Sequence, residues 1–416
     1  MTEGGDTLIA IRLFVALVAA AALVGLFARR VALPYSVALV VLGLGVTLFV
    51  REPGLAVTPE LVLSVLLPGL IFEAAYKLDW RELRRSFGGI ALLAAPGVLI
   101  TAGIVAIVLH LSTGLPLGLG FVVGSMVAAT DPVAVVSTFR RLRAPLRLQT
   151  LLEGESLFND GTGLVAFAIA VRAVQSDVPA LDAIVAFGVT IVLSAILGAI
   201  AGEIATRLIA SVDDHLIELT ISVALAYGTY LTADALHQSG VIATVVAAVI
   251  LGSRGRAIAT SPATQEAMDV VWEFIAFLLT ALVFLLVGFA IAASSLVDAA
   301  ASIAWGIVAI LVARLVVVYG LLGGASVLFH RLGHGRRVPV GWLHVLFWGG
   351  LRGAVAVAMA LSLPLGFPER ALLQQITFGI VLFTLLAQGL SVDWLVRTTV
   401  EPEDDDASSG LISAVG

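Results

Sequence analysis

Leu152-Glu153-Gly154-Glu155-Ser156-Leu157-Phe158-Asn159-Asp160-Gly161-Thr162-Gly163-Leu164 places three carboxylates, an amide and two hydroxyls in a segment otherwise apolar enough to cross a bilayer. Upstream, Ala129-Thr130-Asp131-Pro132-Val133 is a second polar interruption of the same kind. Ionisable groups inside a membrane segment are costly, so they are read first as functional. Together the two stretches are expected to hold a small cation or a proton, one at a time. The rest of the chain would carry that site across a membrane.

Working outward, the whole chain has the composition of a polytopic membrane protein. Of 416 residues, 60% are hydrophobic and only 12% charged, against about 25% charged in a soluble domain. There are no cysteines, which excludes disulfides and thiolate metal sites. Basic residues scatter through short loops and form no single stripe, which argues against nucleic acid as a partner. No glycine-rich phosphate loop is present, so ATP drive is not expected. Nor does Gly154-Glu155-Ser156 form a nucleophile elbow with a histidine placed to activate Ser156, so the chain reads as a transporter and not an enzyme.

Apolar runs of about 20 residues fall near 8–28, 33–50, 59–77, 86–111, 116–139, 147–173, 181–210, 214–234, 239–252, 268–292, 299–328, 340–363 and 370–396, which makes thirteen spans. The first lacks a basic leading region, carrying Glu3 and Asp6 instead, and is read as a retained span and not a signal peptide. Loops after odd-numbered spans hold 16 Lys and Arg and those after even-numbered spans hold 3. By the positive-inside rule the N-terminus is expected outside and the C-terminus in the cytoplasm of a cell (plasma, or inner) membrane. Residues 397–416 form a short polar tail containing Glu401, Glu403, Asp404, Asp405 and Asp406.

The expected fold is all-α: a single transmembrane unit over residues 1–396, of about 13 helices. Two six-helix repeats joined by a lone seventh span must run in opposite directions, an inverted-repeat transporter plan. Spans 5 and 12 occupy corresponding positions. Pro132 removes a helical hydrogen bond and pushes Asp131 from helical dihedrals. Trp348-Gly349-Gly350-Leu351-Arg352-Gly353 does the same in span 12 with glycine. Both spans are therefore expected to be discontinuous helices that cross near the midplane and line a cavity.

In span 6, Ser156 and Asp160 are four apart, as are Glu155 and Asn159, so both pairs share one broad helical face. That face could bring a carboxylate, a hydroxyl and an amide oxygen to one point, which suits a hard cation. Asp160, stripped of water, would keep either a proton or a cation, and this competition is the physical core of antiport. Because its neighbour is Asn159 and not a second acid, one Na+ would exchange for one proton without net charge movement. Glu155 needs a positive partner, since a buried unpaired charge costs several kcal/mol. The deep arginines are Arg314 and Arg352, and Glu155–Arg314 is the favoured structural ion pair. Arg352 would then lie where the broken spans cross, facing Asp131 or carbonyls at a helix C-terminus. Glu73 and Glu153 are possible walls of a funnel that attracts cations.

These residues resemble the NhaP-type sodium/proton antiporters, in the cation:proton antiporter group that includes the animal sodium/hydrogen exchangers. The resemblance rests on Phe72-Glu73-Ala74, Ala129-Thr130-Asp131-Pro132, Gly154-Glu155-Ser156-Leu157-Phe158-Asn159-Asp160-Gly161, Arg314, and Gly349-Gly350-Leu351-Arg352-Gly353-Ala354. It extends from the first span to the thirteenth. It implies electroneutral exchange of Na+, with Li+ as a further substrate, for H+ and no bound cofactor. The position matching Asp160 is the principal ion ligand, surrounded by Thr130, Asp131, Ser156 and Asn159. It further implies an ion-handling bundle from spans 4–6 and 11–13, which moves like an elevator against a dimerisation domain from spans 1–3 and 7–10, and a homodimer. The chain ends soon after span 13, without the long regulatory tail of the animal exchangers, which is the expectation for a prokaryotic transporter. K+/H+ exchange is the alternative that ligand chemistry leaves open, and a cation channel or membrane sensor on the same fold is the more distant one.

Overall fold

The computed structural model describes residues 15, 18–20, 22–26, 30, 34–49, 58–176, 178–256, 262–291, 296–332 and 337–400. Most of the first expected span, Arg51 and the acidic cluster from Glu401 to Asp406 lie outside the described residues. Within them the regular structure is helical. In chain order the helices are α1 (Tyr35–Phe49), α2 (Leu61–Tyr76), α3 (Trp80–Ala94), α4 (Pro96–Thr113), α5 (Leu117–Ala128), α6 (Val133–Leu142), α7 (Leu146–Gln175) and α8 (Ala180–Ile209). They continue with α9 (His215–Ala235), α10 (Gly240–Gly255), α11 (Pro262–Ala290), α12 (Ala300–Arg331), α13 (Val340–Trp348), α14 (Ala354–Leu361) and α15 (Arg370–Thr399). Eight helical runs among the described residues are long and apolar enough to cross a membrane, and three shorter apolar helices accompany them.

Helix ends follow local chemistry. Asp79 caps α3 by accepting the Glu82 N–H at 2.9 Å, and Asp214 caps α9 by accepting the Leu216 N–H at 2.9 Å. The fourth expected span begins earlier than its apolar run implied. Its first turns, Trp80 to Arg85, are an amphipathic extension that carries the basic residues of the preceding loop. The last helix runs to Thr399, past the expected end at 396, because Arg397 pairs along it with Asp393 at 3.0 Å.

Two groups of helices pack most closely among themselves. α4 lies on α5 and α12, α7 on α3 and α5, and α15 on α12, α14 and α6. Separately, α10 lies on α8, α9 and α2, and α11 on α1 and α2. Within the second group Phe72 packs on Tyr76 and on Trp272, with ring centroids 6.0 and 4.5 Å apart. The buried indole donates to Ser222 at 3.0 Å, so its one polar atom is not stranded. α7 borders both groups, touching α8, α10 and α2 as well as its own partners.

Both discontinuities predicted from Pro132 and from the glycine run are present. α5 stops at Ala128, Ala129 is extended (φ −60°, ψ 133°), and helix resumes only at Val133. α13 stops at Trp348 and helix resumes at Ala354. The two gaps meet: the Asp131 N–H donates to the Leu351 carbonyl at 2.8 Å. Each gap thus supplies the backbone partner that the other lost when its helix broke.

Candidate ion-binding site

α7 is 30 residues long and Asp160 is at its middle. At 1.5 Å per residue, that puts the carboxylate ~20 Å from either helix end. A cavity of about 560 Å³ reaches it. Thr130, Asp131, Ser156, Asp160 and Gly353 line one part of that cavity, and Glu73, Lys77, Arg140, Gln149, Glu153 and Glu273 another. Along α7, Glu153 and Gln149 precede Asp160 by about two and three turns, so the cavity extends ~10–16 Å along this helix. The Asp160 carboxylate makes no hydrogen bond or ion pair with any described residue. Asp131 lines the same cavity and acts on it electrostatically. Two carboxylates beside one solvent-sized space, neither with a cationic partner, form an anionic pocket whose natural occupant is a cation or a proton.

The broken helices fix this pocket. Thr130 sits in the α5–α6 gap and is tied to α7 by three contacts. Its N–H donates to Asn159 Oδ1 at 3.0 Å, its Oγ1 accepts from Asn159 Nδ2 at 2.8 Å, and its carbonyl accepts from Ser156 Oγ. Asp131 Oδ1 accepts the Val133 N–H at 3.0 Å, capping α6 where the helix dipole is positive. Its other oxygen lies against Gly353. A Cβ at Gly353 would collide with Asp131 Oδ2 and come within 2.7 Å of its Cβ, so the close approach of the two gaps requires glycine there.

The expected common face of Glu155, Ser156, Asn159 and Asp160 divides in two. Ser156 and Asp160 face the cavity. Asn159 is 1% exposed and is not part of the cavity lining, because both ends of its amide are spent on Thr130. Glu155, also 1% exposed, points away towards Arg314, whose Nη1 and Nη2 meet its two carboxylate oxygens, the second at 3.0 Å. Arg314 Nε and Nη2 also donate to the Leu346 carbonyl, at 3.1 and 2.7 Å. That carbonyl belongs to the last turn of α13 and has no helical donor after the break. Of the two environments expected for Arg352, the structure shows neither among the described residues: its guanidinium meets carbonyls of the gap that follows α13 and not of the helix itself. Its Nη1 donates to the Gly350 carbonyl, and its backbone N–H donates to Thr384 Oγ1 at 3.0 Å. The two gaps thus place Asp131 at the N-terminus of α6 and Arg314 at the C-terminus of α13.

Away from this point, Glu73 pairs with Lys77 at 2.8 Å, and Lys77 also reaches Glu273 at 3.4 Å. Glu153 accepts from Gln149 at 3.1 Å. His344 lies 2.6 Å from Tyr319 Oη and is not among the cavity residues. Two participants escaped the sequence reading. Lys77 counted only as a loop charge, although its i, i+4 spacing from Glu73 was a signal for the pair. Thr384 left only the hint of a hydroxyl in an apolar span. Its role depends on a widened helical turn over Thr384–Gln388, which sequence does not announce.

The family described as "Sodium/hydrogen exchanger, transmembrane" matches residues 16–398. The chain belongs to this family. Among its relatives is the low-affinity Na(+)/H(+) antiporter NhaS1 of Synechocystis, 36% identical over 88% of this chain and 69% of that one. The Na(+)/H(+) antiporter ApNhaP of Aphanothece halophytica is 37% identical, again over 88% and 69%. The Na(+)/H(+) antiporter NhaP of Pseudomonas aeruginosa is 35% identical over 84% of each chain. Among solved structures, the sodium proton antiporter MjNhaP1 of Methanocaldococcus jannaschii at pH 8 superposes with a TM-score of 0.71, at 21% identity, covering 95% of this chain and 99% of that one. The exchanger chain therefore has the all-helical, polytopic fold of that antiporter.

Proposed function

We propose that the chain exchanges Na+, and Li+ as well, for H+ across the cell membrane, with Asp160 binding either the metal ion or the proton. The observation that carries this reading is the Asp160 carboxylate at mid-helix, without a partner among the described residues, reached by the cavity and accompanied there by Asp131. Asp131, the Ser156 hydroxyl and the Thr130 segment supply further oxygens. Asn159 supports the site by holding Thr130 in place. The relatives named Na(+)/H(+) antiporters favour Na+ over K+ as the metal ion.

Charge balance supports electroneutral one-for-one exchange. Around the two helix breaks the charged side chains are Glu155, Asp131 and Asp160 against Arg314 and Arg352, one negative charge in excess when all are ionised. One Na+ or one proton cancels that excess, so both loaded forms avoid moving a net charge through lipid, whereas the empty form does not. The two closely packed helix groups support an elevator: spans 4–6 and 11–13 as the ion-handling bundle, spans 1–3 and 7–10 as the scaffold. With odd-numbered loops inside, the cavity faces the cytoplasm. Two inverted repeats, about thirteen crossings and a homodimer complete the proposed architecture.

The test is proton movement in proteoliposomes carrying a pH gradient, on addition of Na+, Li+ or K+. Na+ and Li+ should collapse the gradient, and the half-saturating Na+ should rise as protons are made more abundant on its side. A response confined to K+, or proton flux without any cation, overturns the assignment.

A further inference from the structure

A second pocket of about 340 Å³ opens beside the turn between α2 and α3, against the last turn of α10. Lys77, Arg81 and Arg256 contribute three positive side chains to its lining, with Trp80 and Ser253 beside them. Arg81 is exposed, and Trp80, half exposed, is the kind of amphipathic ring that sits at headgroup level. Arg256 is held in place: it stacks 4.4 Å over the Tyr76 ring and binds Asp269. The acid in the lining, Asp79, already accepts the Glu82 N–H with its Oδ1 as the cap of α3. Both loops that meet here are among the basic ones, which the charge pattern puts on the cytoplasmic side. Basic pockets between helices on that side are suited to anionic lipid headgroups.

Lys77 lines both this pocket and the ion cavity. In the structure its ammonium is engaged by Glu73 and Glu273, which line the ion cavity. We propose that the second pocket binds the phosphate of an anionic lipid headgroup, which competes with Glu73 and Glu273 for Lys77. Drawing the ammonium towards the phosphate frees two carboxylates beside the cation's path. An anionic leaflet thereby strengthens the capture of Na+ from the cytoplasmic side. This second consequence rests on the exchange reading given above. Occupancy of the pocket does not.

The experiment uses the full chain in nanodiscs of phosphatidylcholine with or without phosphatidylglycerol. Retained lipid is measured by native mass spectrometry and Na+-driven proton movement is measured in matching liposomes. The wild type should retain phosphatidylglycerol over phosphatidylcholine. Arg81→Glu, at an exposed position that leaves folding intact, should lower that retention about tenfold. Phosphatidylglycerol should lower the half-saturating Na+ concentration of the wild type severalfold, and Lys77→Met should remove that dependence. Equal retention by the wild type and Arg81→Glu, or equal retention of both lipids, overturns the site. Inorganic phosphate that reproduces the effect in phosphatidylcholine overturns the lipid as the source. If retention behaves as expected but no cation moves protons, the exchange reading fails and the lipid site stands.

Discussion

Glu155 and Asp160 lie less than two turns apart on α7, and the structure treats them in opposite ways. Glu155 is held by both ends of the Arg314 guanidinium, in a place closed to solvent. Asp160 has no hydrogen-bond or ion-pair partner among the described residues and faces the cavity. Both are acids in the middle of one membrane helix, so position in the membrane does not separate them. What separates them is what the broken helix α13 presents. The Leu346 carbonyl in its last turn attracts Arg314, the Gly350 carbonyl in the gap beyond it attracts Arg352, and Glu155 is on the side of α7 that meets Arg314. The other side of α7 meets the N-terminal end of α6, where the available charge is Asp131 itself. Polarity at a helix break thus decides which carboxylate is locked and which is left facing the cavity.

The sharpest way to break the comparison is to remove the free acid. Asp160→Asn keeps shape and hydrogen-bonding capacity but cannot switch between proton and cation. It should abolish Na+-dependent proton movement in proteoliposomes while the protein keeps its folded yield and melting behaviour. Retained exchange would move the switch elsewhere. Removing the partner of the locked acid should do the reverse. Arg314→Ala strands Glu155 and the Leu346 carbonyl away from water, a loss of about 3–5 kcal/mol for breaking a buried pair. Thermal unfolding in detergent should register it as a collapse in stability and yield. If Arg314→Ala folds normally but does not transport, Glu155 and Arg314 belong to the ion path and the contrast fails.

How far this contrast could be read beforehand depends on what each feature needs. The helices and both breaks were legible because they follow from local rules: long apolar runs, a proline after an acid, a run of glycines. That Glu155 pairs with one of two deep arginines was legible, since deep positive partners were scarce, but the choice of Arg314 over Arg352 is made only by the packing of α12 against α7. The orientation of Asn159 was not. Its four-residue spacing from Glu155 placed it on a face, but whether its amide met an ion or a backbone depended on Thr130, which arrives from another helix. Gly353 against Asp131 was hidden for the same reason: contacts between two gaps distant in sequence leave no local pattern. Lys77 between two acids is an intermediate case, with one partner at helical spacing and the other, Glu273, far along the chain.

Gly353 offers a gentler intervention at the polarity of the break. A methyl group there must displace the Asp131 carboxylate or separate the two gaps. The backbone link from Asp131 to Leu351 holds the two gaps together, and the Arg352 N–H bond to Thr384 anchors the second gap to α15. Gly353→Ala should therefore shift the acid more than it unfolds the protein. The expected result is an increase of about tenfold in half-saturating Na+, the effect of roughly 1.4 kcal/mol, with maximal exchange less affected. A fall in maximal rate alone would mean that the gap matters for movement and not for holding the ion.

The smallest effect belongs to Glu73, which resembles neither extreme. It is partly exposed and paired with Lys77, whereas Glu155 is locked by Arg314. An acid in such a place can attract cations towards Asp160 without binding the transported one, and a partly solvated pair of this kind is worth about 0–1 kcal/mol. Glu73→Gln should raise half-saturating Na+ by about fivefold at most, and the difference should shrink as ionic strength rises, because screening acts on exposed charge. Maximal exchange should be unaltered. Were Glu73→Gln instead to stop exchange as Asp160→Asn does, at every ionic strength, then Glu73 would belong with Asp160 among the acids that hold the ion, and the cavity would have two binding points where the geometry of α7 supplies one.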